Sequence, residues 1–376
     1  MHKVCVLTDV HQIFDNRINK EINTLIKQGY ELYYIAPADQ KEIDKYISYN
    51  KNVNVIPIKK YKNRKKRIKK GTKEAYKAAL KVDADVYHFH DPELIIAGIK
   101  LKLRGKKVIY DVHENYISVF LSRGKNSRFL KYILVVFYWF FERISDLLFD
   151  GIITVNEEVN SKFRRKKSII IPNYPELSFF ENEDASDKKT PNGDERVIFL
   201  YLGSISVERG IKEMLKAAAI ASRECRMKLV IIGRPDDEEA KKYLTMKQDY
   251  FEYIPQKSYF EALSLARKAD VGMINFYPTP NNLFSSPNKL FEYMALGLPV
   301  IASDFPKWHE YLDEADCAFF VDPKNPESIG KKMIKLCKDA ALRKEMGARA
   351  KKMANERYSW ASIEQNIIDM YTKILD

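Results

Sequence analysis

The sequence predicts an α/β protein built from two doubly wound, mostly parallel sheets. Three observations carry that expectation. Short β-rich runs alternate with amphipathic helical segments along the whole chain. Many of these runs are near-continuous Val, Ile, Leu and Tyr, as parallel strands covered on both faces require. The alternation also stops once, over a polar stretch at residues 176–195, and then restarts. At 376 residues the chain is long for one core, and a domain per roughly 100–200 residues allows two.

In the first half, strands are expected at Lys3–Thr8, Glu31–Ala36, Val53–Pro57, Val86–His90, Lys107–Asp111 and Gly151–Val155. Between the first two, Arg17–Gln28 has a helical period and stops at Gly29. Glu176–Glu195 (ELSFFENEDASDKKTPNGDE) is polar, has turn formers and lacks a period, so it reads as a linker. Beyond it come strand Val197–Leu202, helix Ile211–Ala221, strand Lys228–Ile232 and helix Asp237–Thr245, then strands at Val271–Asn275, Val300–Ala302 and Ala318–Val321. Trp360–Leu375 is amphipathic and helical. The expected organisation is a Rossmann-like domain over 1–175, a linker over 176–195 and a second Rossmann-like domain over 196–355. A C-terminal helix over 356–376 is expected to pack back on the first domain. No short-period repeat occurs, which excludes a solenoid.

Composition narrows the class. Hydrophobic residues make up 45% of the chain, which excludes wholesale disorder. Cys5, Cys225, Cys317 and Cys337 are scattered without a CxxC, so reduced thiols in a cytoplasmic setting are expected. Met1-His2-Lys3 leads straight into Val4-Cys5-Val6-Leu7, too short for a signal core. The most apolar stretch, Tyr132–Phe141, is ten residues long, whereas a spanning helix needs about 20. The protein is therefore expected to be soluble or to lie on a surface.

The net charge is +13, and Lys59–Lys70 (KKYKNRKKRIKK) carries nine basic residues in twelve. That block is either a solvated face or a contact with anionic lipid head groups. Nucleic acid is not expected as a partner, because the basic run is one block remote in sequence from the phosphate-binding turns. Arg128–Phe149 is rich in aromatics. It is either a core helix of the first domain or an apolar face resting on a bilayer, with Arg123, Lys125, Arg128 and Lys131 beside it. The latter gives Arg123–Lys131 and Lys59–Lys70 as a peripheral contact at the inner face of the plasma membrane.

The residues with the most chemistry lie in Ser285–Val300 (SSPNKLFEYMALGLPV). Ser286 suits an N-cap, Pro287 the first helical position, and Gly297 the stop. A helix N-terminus with Asn288 and Lys289 in its first turn favours a phosphate. Glu292, one turn further on the same side, can hold a ribose diol. Strand Val197–Leu202 runs into Gly203-Ser204-Ile205-Ser206-Val207-Glu208-Arg209-Gly210 and another helix. Arg209 and Lys289 together can neutralise a departing diphosphate.

Seven segments in order resemble glycosyltransferase family 4: Thr8–His11 with Phe14–Ile18 and Lys20-Glu21; His88–Leu94; Tyr110–Glu114; Ile171-Pro172-Asn173; Leu202-Gly203 with Arg209-Gly210; Ile231-Ile232-Gly233; and SPNKLFEYMALGLPV. The resemblance covers nearly the whole chain. It implies the GT-B fold, two Rossmann-like domains facing across a cleft. The implied activity is metal-independent transfer of a sugar from a nucleotide-diphosphate sugar, UDP-sugar by family habit, to a glycan or lipid-linked acceptor in cell-surface polysaccharide synthesis.

Roles follow from the same resemblance. Arg209 and Lys289 bind the diphosphate, with Gly203, Ser286, Pro287 and Asn288 around them. Glu292 binds the ribose, and Gly233, Tyr253 and Ile254 border the base. His113 faces the donor sugar, and His11, Arg17, Asp91 and Glu114 lie on the acceptor side. Two positions depart from the family pattern. Phe284 stands where the first of two glutamates is usual, and Ser204 where a basic residue is common. The donor sugar and a retaining outcome therefore stay open, and so do two alternatives: a sugar-nucleotide epimerase and a non-catalytic nucleotide-sugar-binding relative.

No cofactor and no metal are expected beyond the nucleotide sugar itself. Asp83-Ala84-Asp85 precedes a strand instead of following one. His88 and His90 share a strand face, but no third and fourth ligand is evident near them. No GxGxxG, GxxxxGK[ST] or GxSxG occurs.

Overall fold

A computed structural model describes residues 1–117, 128–163, 167–181 and 196–376; for 128–130 and 181 it describes the backbone alone. The chain divides into two compact units. One comprises Met1–Asn173 and Ile363–Asp376, the other Tyr174–Ser362.

The first unit is a seven-stranded parallel sheet. Its strands are β1 (Lys3–Leu7), β2 (Glu31–Pro37), β3 (Val53–Ile58), β4 (Val86–Phe89), β5 (Lys107–Val112), β6 (Gly151–Thr154) and β7 (Ser168–Ile170). They lie in the order β3-β2-β1-β4-β5-β6-β7, so the winding reverses between β1 and β4. Crevices beyond the carboxyl ends of such a pair are where doubly wound sheets take ligands. Central strands are buried along their length, β4 as Val86-Tyr87-His88-Phe89 without an exposed residue.

The second unit repeats the plan with six strands. They are β8 (Val197–Leu202), β9 (Met227–Gly233), β10 (Phe251–Pro255), β11 (Val271–Ile274), β12 (Val300–Ser303) and β13 (Ala318–Val321). Their order is β10-β9-β8-β11-β12-β13, with the reversal between β8 and β11.

Several expectations are corrected. Edge strands β7 and β10 were not foreseen, because both are short and mostly half-buried. The expected linker begins inside the second unit. Ser178–Glu181 is helical, and Phe179 accepts a hydrogen bond from Arg267 at 2.5 Å and packs on Phe260. The rest of that stretch, 182–195, lies outside the described residues. The expected terminal helix splits. Trp360–Ser362 is a 3-10 turn of the second unit, its Trp360 N–H bonded to Pro175 O at 2.8 Å. Helix Glu364–Leu375 belongs to the first unit, where Thr24 donates to Glu364 and Met370 packs over Gly151.

The basic block Lys59–Lys70 forms the start of a helical run: Arg64–Lys66 α-helical, Arg67–Gly71 a π turn, then Thr72–Val82 α-helical. Its lysines are exposed, while the π turn swings Arg67 inward to Glu93 at 3.2 Å. Helix Arg128–Leu148 is not simply a core helix. Tyr138, Glu142, Ser145 and Asp146 are buried, whereas Tyr132, Ile133, Val136, Phe137, Trp139 and Phe140 are exposed. Residues 132, 133, 136, 137 and 140 recur at helical spacing and form one stripe. Of the flanking basic residues, Arg123 and Lys125 lie outside the described residues. Two cysteines the sequence kept apart are also neighbours: Cys225 and Cys337 are half-buried, and their thiols donate to Ala221 O at 3.2 Å and Arg226 O at 3.5 Å.

Candidate active site

The chemistry of the second unit gathers at the carboxyl ends of β8 and β11. After β8 the chain turns through Gly203 to the short 3-10 turn Val207–Arg209 and the helix Ile211–Ala221. Asp237 pins that turn, accepting from Val207 N at 3.0 Å while capping the next helix through Ala240 N at 2.6 Å. After β11 the chain places Phe276, fully buried against Trp308.

Phe276 is the floor of the site. The Arg209 guanidinium lies 3.9 Å from its ring centroid and the Lys289 ammonium 5.0 Å from the same centroid. Lys289 also lies 3.9 Å over Tyr201, whose hydroxyl donates to Ser204 O at 2.6 Å. Two cations thus lie against one aromatic ring, which attracts each of them but neutralises neither. Burial, and then the charge of Arg209, push the Lys289 amine well below its usual pKa, with Glu292 opposing. Like charges held this close favour an anion that can reach both.

Glycines make the approach feasible. A Cβ on Gly203 would come within 2.9 Å of Lys289 Nζ, and one on Gly233 would fall 1.8 Å from Gly203 O. Both have positive φ, at 129° and 156°. Tyr253 on β10 donates to Gly233 O at 3.0 Å, and Ile254 pairs with Ile232, so Gly233, Tyr253 and Ile254 form one border of the site.

Helix Asn288–Ala295 is capped differently from expectation. Pro287 is the N-cap and offers no side-chain bond, so the first N–H groups stay open. Ser286 instead bonds Tyr311 OH at 2.8 Å, and Trp308 holds Ser285 O at 2.9 Å. Tyr293 ties the helix to β8 through Leu202 N at 2.9 Å. Glu292 is half-buried on the same helix, and Phe284 is exposed beside it in sequence.

In the first unit, the loop after β1 is organised by Asp91. Its Oδ2 accepts from Thr8 Oγ1 at 2.6 Å, Asp9 N at 2.7 Å and Val10 N at 3.2 Å. His11 bridges Asp15 at 2.9 Å and Asp91 at 3.4 Å. Burial opposes its charge, but the bond to Asp15 and the nearby carboxylates outweigh burial and raise its pKa to about 9. His113, after β5, is 13% exposed. Its Nε2 is 3.1 Å from His90 Nδ1, and its ring centroid is 4.8 Å from that of His11. Glu114 is exposed.

Two acceptor-side expectations change. Asp91 spends its carboxylate inside the loop it organises. Arg17 is an internal strut, 3% exposed, bonded to Asp111 at 2.8 and 3.0 Å and to Ile171 O at 2.7 Å. His11, His113 and Glu114 remain at the carboxyl ends of the strands. Asp9 was missed. Its carboxyl is buried, and burial, then Asp91 and Glu93, raise its pKa to about 8 against the pull of Arg67. The reading that nothing else of ligand type lies near His88 and His90 is corrected too. Glu21, from helix Asn16–Lys27, and Asp111, from β5, close on them.

Two parallel α/β units, the second with a paired-cation site at its switch point, are the architecture of GT-B glycosyltransferases. Residues 18–174 match the family model described as glycosyltransferase family 4, and residues 182–353 the one described as glycosyl transferases group 1. Capsular polysaccharide biosynthesis glycosyltransferase CapM of Staphylococcus aureus is 22% identical over 372 residues, covering 94% of this chain and 93% of its own. Sucrose-phosphate synthase of Thermosynechococcus elongatus superposes with a TM-score of 0.74 at 15% identity, covering 100% of this chain and 99% of its own. HepE of Anabaena, solved in complex with UDP-glucose, gives 0.72 at 12% identity, covering 99% and 100%. The chain belongs to the family 4 glycosyltransferases of the GT-B fold.

Proposed function

We propose that this glycosyltransferase takes a UDP-sugar donor on its second unit and passes the sugar, with retention, to a glycan or lipid-linked acceptor in cell-surface polysaccharide synthesis. One observation carries the donor assignment: Arg209 and Lys289 share the Phe276 ring, with Tyr201 a second ring against Lys289. A diphosphate supplies the anion that arrangement lacks, and its charge grows as the glycosidic bond breaks. Preorganised cations stabilise that growth without a metal at the phosphates. Glu292 takes the ribose, and Gly233, Tyr253 and Ile254 border the base. His113 acts at the sugar, with His11 and Glu114 on the acceptor side. The names of CapM, a capsular enzyme, and of HepE bound to UDP-glucose support this reading.

The protein works at the cytoplasmic side of the plasma membrane as a peripheral enzyme. The exposed aromatic stripe of helix Arg128–Leu148 and the exposed lysines of the Lys59–Lys70 block support that part. Among the described residues no helix is long and apolar enough to cross a membrane. Co-sedimentation with anionic liposomes at low salt checks it; protein left in the supernatant overturns it.

The deciding experiment for the donor is a thermal-shift panel of nucleotide sugars, since a bound donor stabilises by mass action. A UDP-sugar is expected to give the largest shift. Arg209→Ala should then lower turnover about 10²–10³-fold. A loss under about threefold removes Arg209 from the transition state.

A further inference from the structure

Glu21, His88 and His90 form a fully buried triangle in the first unit. Glu21 Oε2 is 3.7 Å from His88 Nε2 and 3.7 Å from His90 Nε2. Neither imidazole Nε2 nor either Glu21 oxygen has a hydrogen-bond partner. The spacing decides what can join them. An N–H···O bond needs about 2.7–3.2 Å between heavy atoms, so these groups stand too far apart to satisfy one another directly. An ion centred in a triangle of that side lies about 2.1 Å from each corner, the length of zinc bonds to imidazole nitrogen and carboxylate oxygen. One ligand-type atom from each of Glu21, His88, His90 and Asp111 lies within 4.8 Å of the other three, close enough for a single ion to gather them.

The two imidazoles stack with ring centroids 4.6 Å apart and 28° between their planes, and their far nitrogens are anchored. His88 Nδ1 is held by Tyr371 OH at 2.9 Å, from the last helix. His90 Nδ1 is 3.1 Å from His113 Nε2 and 3.4 Å from Asp111 Oδ2. Anchoring the far nitrogen is how metal-binding imidazoles are oriented. The charges also call for a cation. Glu21 and Asp111 face a single guanidinium, Arg17, which binds Asp111 at 2.8 Å and lies 3.3 Å from Glu21 Oε1. Lys20 adds a weaker pull on Glu21, so Arg17 is the close partner of two buried carboxylates. Glu21 can turn one oxygen to Arg17 and the other to an ion.

We propose that Glu21, His88 and His90 bind a structural divalent transition metal ion, zinc by its ligand set, with Asp111 as fourth neighbour. The ion ties helix Asn16–Lys27 to β4 and β5 and, through Tyr371, to the C-terminal helix. It belongs to the first unit, whereas the cations assigned to the donor belong to the second, and its test does not involve sugar transfer.

The full chain, purified without a polyhistidine tag, is analysed by elemental mass spectrometry. About one zinc per chain is expected, falling at least tenfold in His88→Gln and His90→Gln. Cobalt added to chelator-treated wild type should give the visible d–d bands of a four-coordinate site, which keeps the test valid if the variants do not fold. Under about 0.1 metal ion per chain together with no cobalt spectrum overturns the proposal. Metal retained in both folded variants overturns it equally.

Discussion

With its pKa pushed well down by burial and by Arg209, Lys289 should change protonation when an anion arrives. A diphosphate between the two cations restores the charged amine, so binding takes up a proton wherever the empty site holds neutral lysine. UDP titrations in buffers of different ionisation enthalpy should show uptake approaching one proton, absent in Lys289→Met; buffer-independent heats for the wild type would contradict it. His11 makes the opposite kind of prediction, on stability. Its native pKa of about 9 exceeds its ordinary 6.5. The stabilisation is thus complete below 6.5 and lost as pH rises through about 9. Asp15, held below its ordinary 3.8 chiefly by the His11 bond against the effect of burial, keeps its share above 3.8 and loses it on acidification. A charge-assisted bond of this kind is worth about 1.5–3 kcal/mol. Asp15→Asn should lower Tm at neutral pH by several degrees and flatten its decline between pH 6.5 and 9. Of these residues, Lys289 and Arg209 were legible because glycines and helix starts bracket them. Glu21 was not. Arg17, Lys20, Glu21 and Thr24 sit at helical spacing, and such a polar stripe reads as a solvated face until the fold buries it.

At the level of elements, the close pass of two loop backbones at Gly203 and Gly233 is the strictest requirement of the donor site. Gly233→Ala puts a methyl 1.8 Å from Gly203 O on a backbone that resists a side chain. A loss of at least about 2 kcal/mol in urea unfolding is expected, with weaker UDP binding; an unchanged midpoint and affinity would refute it. Buried parallel strands announced themselves as apolar runs. Edge strands β7 and β10 did not, since both are short and mostly half-buried. Helix Arg128–Leu148 hid its orientation for another reason: its exposed stripe is aromatic while Glu142, Ser145 and Asp146 are buried, so the usual apolar-in rule points the wrong way. The π turn at Arg67–Gly71 left no mark in a block of lysines either.

For the whole molecule, the return of Glu364–Leu375 to the first unit is the feature with the widest reach. A chain ending at Ser362 should keep UDP binding in its second unit but melt its first unit at a lower temperature. The lost helix contributes buried Ile367, Met370, Tyr371 and Ile374. Equal melting of both chains would argue against it. The amphipathic period of this helix was legible, but the break after Ser362 was not, because Trp360 bonds to Pro175 within the second unit, a contact with no local signature. The route of the chain also orders its birth on the ribosome. The second unit is one uninterrupted stretch and can close as soon as it has emerged. The first unit, although made earlier, must wait with Gly151 and His88 uncovered until the final helix leaves the exit tunnel, so the half translated first is the last to finish folding.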